Sequence, residues 1–529
     1  MSALLAESGV SDRVTEPGTT TVTENRSNRL RNWSFIGLCG LAAGLMFLIV
    51  KHSLIDDAYI TLAYAKNLAL HFHWGLNPYE VSNSATSPLN VILLGALSFI
   101  TRIAGSIHPV IALGILSIGL IMVMAWSWTR IMTILRLPMT VAVLGIAVIM
   151  FNPIVLSAIG LEVLLIPAVL LLMLAMAMSR KPVLFGVVAG LAMITRIDMV
   201  IFVLIIAFAS GGIRNRRAIG WATLSTALVG LPWYIFSWFF FGSAITDTFL
   251  IKTTQHSFGA YTFFTGPISF FLGRHLMTML AFGPAVLGTI AVLAWLAVRF
   301  GGRWNKPGLL PALGPAAGLG IGGIVYYIAY SAIGVPPYHW YYVPSTTSLA
   351  TFLVIALGAW WVSARREPLL RPGAPMVSLI VVALVVLGNI RVEAEQGIPW
   401  RSPVIFGNWA SSTDYARVGL QLGQVVGDKT VNTPDEIGTI AYFCGCDIVN
   451  EFADPGVVTQ LVNKRISEAG PIGKFLLNLN YTWLNRDRQP KPVQYVLNYY
   501  PGPGTGPDTW QVYADGAGTG HLVLTPAKP

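Results

Sequence analysis

The chain has 529 residues, of which 54% are apolar and only 11% charged, with a mean hydropathy of +0.64. A soluble domain carries about 25% charged residues, so the composition is that of a polytopic membrane protein, and the lack of alternating polar and apolar strands excludes a β-barrel. The net charge of +10 reads as topogenic rather than nucleic-acid binding, because most Arg and Lys lie in short loops between apolar segments.

Polar residues including Arg26, Arg29 and Arg31 precede the first apolar run, and no small-residue cleavage site follows it. That run is therefore not a cleavable signal peptide, and residues 1–32 are expected to be a disordered cytoplasmic N-terminus. Apolar segments then recur at 33–51, 88–104, 110–129, 138–152, 163–179, 183–195, 199–210, 219–241, 277–298, 310–333, 345–363 and 375–392. A helix needs about 20 such residues to cross a ~30 Å hydrocarbon core.

If every segment crossed, Arg130/Arg136, Arg180/Lys181, Arg214/Arg216/Arg217 and Arg365/Arg366 would not share the cytoplasmic side. The segment 88–104 opens with Ser87-Pro88 and is short. Reading it as interfacial or re-entrant puts all these groups inside, together with Arg299, Arg303 and Lys306. The expectation is a polytopic α-helical membrane protein of about eleven spans in residues 33–392, N-terminus inside. The outer face then collects the first loop 52–109, Asn152 to Glu162, Thr195 to Asp198, 242–276, 334–344, and everything after 392. The turn at Arg196 joins short helices, so it should lie below the membrane surface in a polar cavity.

Residues 393–529 regain Gly, Pro, Asn and Asp and offer no further span. They read as a small extracytoplasmic α/β domain: a strand at Lys429–Thr433, a helix at Pro434–Phe443, a strand at Asp447–Glu451, and further strands at Gln494–Tyr499 and Trp510–Val512. The three cysteines, Cys39 and the pair Cys444 and Cys446, imply no disulfide framework, since one intervening residue leaves little room for a relaxed bond.

Chemistry begins where the first span ends. Asp56 and Asp57 are adjacent there, ahead of a helix predicted over Ala58–Leu70. One helix cap accounts for one aspartate; two, followed by Tyr59 and Lys66, exceed what a cap requires and suggest a general base. Glu162 lies among apolar residues with no cation beside it in the sequence, which points to a polar cavity. Arg196 and Asp198 read equally as a structural ion pair or as ligand contacts. The loop GSAITDTFLIKTTQH brings Asp247, Lys252 and His256, and Arg274 and His275 precede the next span. Such cations can snorkel toward headgroups or surround a lipid phosphate. His339 sits among aromatics in VPPYHWYYVP, where packing and substrate lining both remain open. There is no nucleotide-binding glycine loop, zinc-ligand spacing or nucleophile elbow.

The run IDDAYITLAYAKNLALHFHWGLNPYEVSNSATSPLNVILL resembles the first external loop of GT-C, polyprenyl-phosphate-sugar-dependent glycosyltransferases, closest to the actinobacterial terminal arabinofuranosyltransferase type. Four further blocks follow in that family's order: NPIVLSAIGLE, LAMITRIDMV, GSAITDTFLIKT and PDEIGTIAYF. The chain departs from the family pattern at Ile197 and Asp198, where Pro and Glu are usual, at Ala158-Ile159, and at Asp247.

The resemblance implies transfer of a sugar, first arabinofuranose and second mannose, from a polyprenyl-phosphate donor to a cell-envelope glycan or glycolipid acceptor outside the plasma membrane. It casts Asp57 or Asp56 as general base and the other as an orienting group. Lys252, Arg196 and Arg274 become phosphate contacts, and Glu162, Asp198, His339, Tyr59 and Lys66 substrate lining. A divalent cation near the acids is compatible with this chemistry, though no ligand set is legible. A transporter or lipid flippase is the rival; it would place polar residues near the midplane of paired halves, and no internal repeat is evident.

Overall fold

The computed structural model describes residues 26–102, 105–211, 213, 215–301, 312–365, 373–434 and 436–527. Most of the expected N-terminal tail, and Arg214, Arg303, Lys306 and Arg366, lie outside these.

The helices are α1 Arg26–Val50, α2 Asp56–His71, α3 Pro88–Ile100, α4 Pro109–Leu135, α5 Met139–Met150, α6 Pro153–Leu156, α7 Leu165–Met178, α8 Pro182–Thr195, α9 Val200–Ala209, α10 Arg216–Phe240, α11 Asp247–Gln255, α12 Gly266–Gly273, α13 His275–Phe300, α14 Gly314–Ile333, α15 Val343–Ala364 and α16 Gly373–Ala394. Among the described residues, seven helices (α1, α4, α10, α13, α14, α15 and α16) are long and apolar enough to cross a membrane, and five shorter apolar helices, α3 among them, accompany them. At ~1.5 Å per residue, α5, α7, α8 and α9 fall short of a ~30 Å core, so their ends leave recesses in the bundle.

The bundle closes through small residues, as helices without a hydrophobic drive between them must. Gly186 and Gly190 of α8 admit the backbone of α10 at Ala222 and Thr226, and Gly323 of α14 sits against Ser345 and Ser348 of α15. Helix α15 is the inner one: Val343 to Ile355 are all buried. By contrast, α10 exposes Leu224, Leu228, Leu231 and Ile235, a stripe at helical spacing that suits lipid.

Helices α1 and α4 are antiparallel neighbours, with Gly40 against Met122, Gly44 against Ile118 and Gly114 against Phe47. Arg29 and Arg130 accordingly line one recess at the far end of the bundle. Since α1 and α4 run in opposite directions, α2 and α3 between them add no net crossing. Both pack at the near end, where Leu68 meets Gly95 and Asn90 donates to the Gly160 carbonyl at 3.1 Å.

After α16 come α17 Ser412–Val426, β1 Thr430–Asn432, α18 Gly438–Cys444, β2 Asp447–Ile448, α19 Pro455–Glu468, α20 Pro471–Asn480, β3 Tyr495–Pro501, β4 Thr509–Ala514 and β5 Gly518–Pro526. The sheet order is β2-β1-β3-β5-β4. The first three strands are parallel and the last two pairings antiparallel. The expected β-α-β unit is present with shorter strands, while β5 and the helices α17, α19 and α20 had not been anticipated.

This region does not stand apart from the bundle. Its core of Val418, Leu422, Ile440, Val431 and Leu522 runs on into Tyr64 of α2 and Ile251 of α11. Buried Glu80 meets Arg488 and, at 2.9 Å, Lys491, which also reaches Asp447 at 2.7 Å. Cys444 and Cys446 are joined, with Cα atoms 5.1 Å apart.

Candidate functional site

The two aspartates occupy the first turn of α2, which begins two residues earlier than expected and has Ile55 as its cap residue. Neither aspartate caps its own helix. Asp56 is buried, and its carboxylate accepts the backbone N–H groups of Gly438 and Thr439, each at 2.8 Å. It thereby satisfies the free N-terminus of α18, a position that favours negative charge. A side chain at Gly438 would collide with the Asp56 carbonyl, which gives the Glu-Ile-Gly run a packing reason. Burial pushes the Asp56 carboxyl up to about 6, with Asp57 adding to this and the two N–H groups opposing it.

Lys66, two and a half turns along α2, donates to the Tyr442 carbonyl at 2.8 Å, and burial lowers its pKa. Tyr59 packs between them against Tyr442 and Phe443, ring centroids 5.4 and 5.8 Å away. Asp56, Tyr59 and Lys66 thus grip α18 along its length. Tyr59 and Lys66 line none of the cavities described here.

Asp57 turns the other way, with its side chain 27% exposed. Together with Asp56 it borders a cavity of about 770 Å³ that is also lined by Lys252, Arg274, His339, Trp340, Asn408, Trp409 and Glu436. It also borders a small space with Glu162, Thr248, Lys252 and Tyr341. A third cavity of about 90 Å³, lined by Arg196, Asp198, Lys252 and apolar Met193, Trp233, Ile245, Phe249 and Ile333, lies beyond. Lys252 borders all three.

Lys252 is placed by α11. Its Nζ donates to the Tyr338 hydroxyl at 2.7 Å and stands 3.9 Å from Asp57 Oδ1. Tyr338 in turn donates to Gln255 Oε1 at 2.8 Å. The start of α11 is pinned by Asp247, which is buried, accepts from Ser243 at 3.2 Å, and bonds to Tyr481; burial pushes its carboxyl up to about 7. Asp247 therefore acts behind the site rather than in it.

Glu162 has a cation after all. Arg196 Nη1 meets Glu162 Oε1 at 2.7 Å, while Nη2 and Nε reach Asp198 at 2.8 and 3.2 Å. The Tyr330 hydroxyl joins Arg196 and Asp198. The partner is 34 residues away, which is why sequence neighbours did not reveal it. Two carboxylates around one guanidinium leave the trio with one net negative charge, and the planar fork explains why arginine serves here.

Arg274 donates to the Val404 carbonyl at 2.8 Å while bordering the large cavity. His339 is buried, and its Nε2 has no hydrogen-bond partner among the described residues. Sequence reasoning missed Tyr338, Asn408, Trp409 and Glu436. The Trp409 ring stacks on Tyr499 of β3, centroids 4.9 Å apart at 14°. The Glu436 carboxylate accepts the Trp409 backbone N–H at 2.9 Å and the Tyr415 hydroxyl. Burial first, then Asp56, pushes Glu436 up to about 8. Among the described residues, no group of three or more His, Cys, Asp or Glu is arranged to hold a metal ion.

A helical bundle with α2 and α3 packed at one end and an α/β unit against them is a GT-C-like membrane fold. No protein-family model matches the chain, and no curated protein matches it. Solved structures do. The oligosaccharyltransferase of Archaeoglobus fulgidus, tethered to an acceptor peptide, aligns with a TM-score of 0.52 at 13% identity, covering 89% of this chain and 69% of that one. ArnT from Cupriavidus metallidurans aligns with a TM-score of 0.52 at 13% identity, covering 93% and 98%. The mycobacterial arabinofuranosyltransferase AftD aligns at 0.47 and 15% identity, covering 88% and 35%, too far to carry an argument. At such identities the likeness is one of fold.

Proposed function

We propose that the chain is a membrane glycosyltransferase that moves a sugar from a polyprenyl-phosphate donor to a hydroxyl of a glycan or glycolipid acceptor, on the extracytoplasmic face. One observation carries this reading: Asp57 and Lys252 stand 3.9 Å apart on the large cavity, and Lys252 also borders the smaller apolar one. The apolar cavity suits the lipid-linked phosphate, with Lys252 and, alongside it, Arg196 bordering it. The large cavity, with its acids and aromatic rings, suits the acceptor. The archaeal oligosaccharyltransferase has been seen with an inhibitory peptide and a dolichol-phosphate, at TM-score 0.51 and 12% identity, which supports a lipid phosphate on this fold.

In the proposed step the acceptor hydroxyl gives its proton to Asp57 and its oxygen attacks the anomeric carbon. The bond from that carbon to the phosphate oxygen breaks, and the polyprenyl phosphate leaves with the electron pair. A base in hydrogen-bond reach of the hydroxyl and a cation at the departing phosphate are what this chemistry asks for. Asp57 is the base in this reading, because the Asp56 carboxylate is engaged by two backbone N–H groups. Glu162 and Asp198 position Arg196, and His339 and Arg274 border the acceptor.

The basic loops at the far end of the bundle favour an N-terminus inside and the site outside. Arabinofuranose is the first sugar to try and mannose the second. The test is transfer by the purified protein from synthetic polyprenyl-phosphate arabinofuranose, mannose and glucose to octyl oligosaccharide acceptors, read by mass spectrometry. Absence of product with every donor, from protein shown to be folded, would defeat the proposal.

A further inference from the structure

Helix α20 has the sequence PIGKFLLNLN and buries no residue fully. Ile472, Phe475, Leu476, Leu479 and, just beyond its end, Trp483 are 48 to 78% exposed. They recur at the three- and four-residue spacing that gathers side chains on one face. On the opposite side Leu477 and Tyr481 pack onto Leu250 of α11 and Val462 of α19. A small domain in water has no reason to present so continuous an apolar stripe.

What covers the stripe is indicated by its neighbour. The Trp238 ring N–H, at the end of α10, donates to the Leu479 carbonyl at 3.0 Å, and Phe239 packs on Trp483 with ring centroids 5.3 Å apart. Phe239 and Phe240 are themselves exposed, at the end of a helix long and apolar enough to span. The stripe on α20 therefore continues the lipid-facing side of a transmembrane helix. Ten residues cover ~15 Å, too short to cross, and Lys474 on the same helix is exposed.

We propose that α20 is an interfacial helix, lying in the plane of the membrane with its apolar stripe in the acyl boundary and Trp483 at headgroup level. The occupant of this face is the lipid bilayer. The placement reaches the site: the Asn480 side chain accepts the Ile245 N–H at 2.8 Å, and Tyr481 bonds to Asp247 at the start of α11. The bilayer-seated helix thereby holds the segment that carries Lys252 at a fixed height above the membrane. The proposal does not depend on the transfer activity.

The experiment uses the full-length protein in phosphatidylcholine liposomes, in a Cys39→Ala background with the Cys444–Cys446 pair left joined. A polarity-sensitive fluorophore is attached at Phe475→Cys and, as an aqueous control, at Thr505→Cys, an exposed position in the loop before β4. At 475 the expected result is blue-shifted emission, lost on adding lipids with a nitroxide near the headgroup and insensitive to aqueous iodide; at 505 the reverse is expected. Iodide quenching at 475 equal to that at 505 would overturn the proposal. So would a probe at 475 shielded from both quenchers whose emission varies with protein density in the membrane, which would mark a second copy as the occupant.

Discussion

Lys252 Nζ lies 3.9 Å from Asp57 Oδ1 and 2.7 Å from the Tyr338 hydroxyl, so one cation faces an acid on α2 and a phenol from the loop before α15. Both contacts leave the ammonium at the border of all three cavities. A lysine there opposes charge that develops on a departing phosphate. Replacing it by Gln is expected to lower kcat by about 10²–10³, the usual cost of removing one preorganised donor from a developing anion. Lys252→Arg should recover part of this, and steady-state transfer from a polyprenyl-phosphate sugar reads both.

The Arg196 trio makes a different prediction. Arg196→Met leaves buried Glu162 and half-buried Asp198 without their cation, and breaking a buried pair from one side costs about 3–5 kcal/mol. The variant should therefore show a sharply lowered melting temperature in detergent before any kinetic effect is read. Arg196→Met with unchanged stability would show that the carboxylates find another partner.

Glu436 sets a pH dependence. Its folded pKa, about 8, lies above the ordinary 4.5. The native state therefore binds the proton more tightly than the unfolded chain does. The stability from this group is fully present below 4.5 and is lost as pH rises through about 8. Melting temperature should fall as pH rises from about 4.5 to about 8 and level off above that, and Glu436→Gln should flatten that fall. An unchanged pH profile in the variant would remove Glu436 as its source.

Trp409 borders the large cavity while its ring is backed by Tyr499. A sugar ring packed on its other face would gain about 0.5–1.5 kcal/mol, as aromatic contacts do beyond burial. Trp409→Ala should then raise the acceptor KM by up to about tenfold, with the donor KM unchanged and Trp409→Phe intermediate.

Much of the bundle was legible because apolar length and basic loops are local signals. The reading of 88–104 as a non-crossing helix rests on Arg130, Arg180 and their neighbours. What could not be read were partners fixed by the fold. Asp56 and Asp57 are indistinguishable in sequence, and they separate only because Gly438, some 380 positions on, brings a helix N-terminus to one of them. Glu162 looked uncompensated because Arg196 lies 34 residues on, in the turn after α8. Trp409 carried no signal at all, since a tryptophan in a loop acquires meaning only from the cavity it borders. The amphipathic pattern of α20 is present in PIGKFLLNLN.

The most direct test of the account compares Asp57→Asn with Asp56→Asn in sugar transfer from a synthetic polyprenyl-phosphate donor. Asn has one acceptor oxygen where Asp56 uses two, so Asp56→Asn should loosen the grip on α18, read as a lowered melting temperature, while the folded variant retains transfer. Asp57→Asn should stay folded and lose about 10²–10⁴ in rate, the typical worth of a general base. Full transfer by Asp57→Asn, or loss of transfer confined to a folded Asp56→Asn, would contradict the assignment of Asp57 as the base.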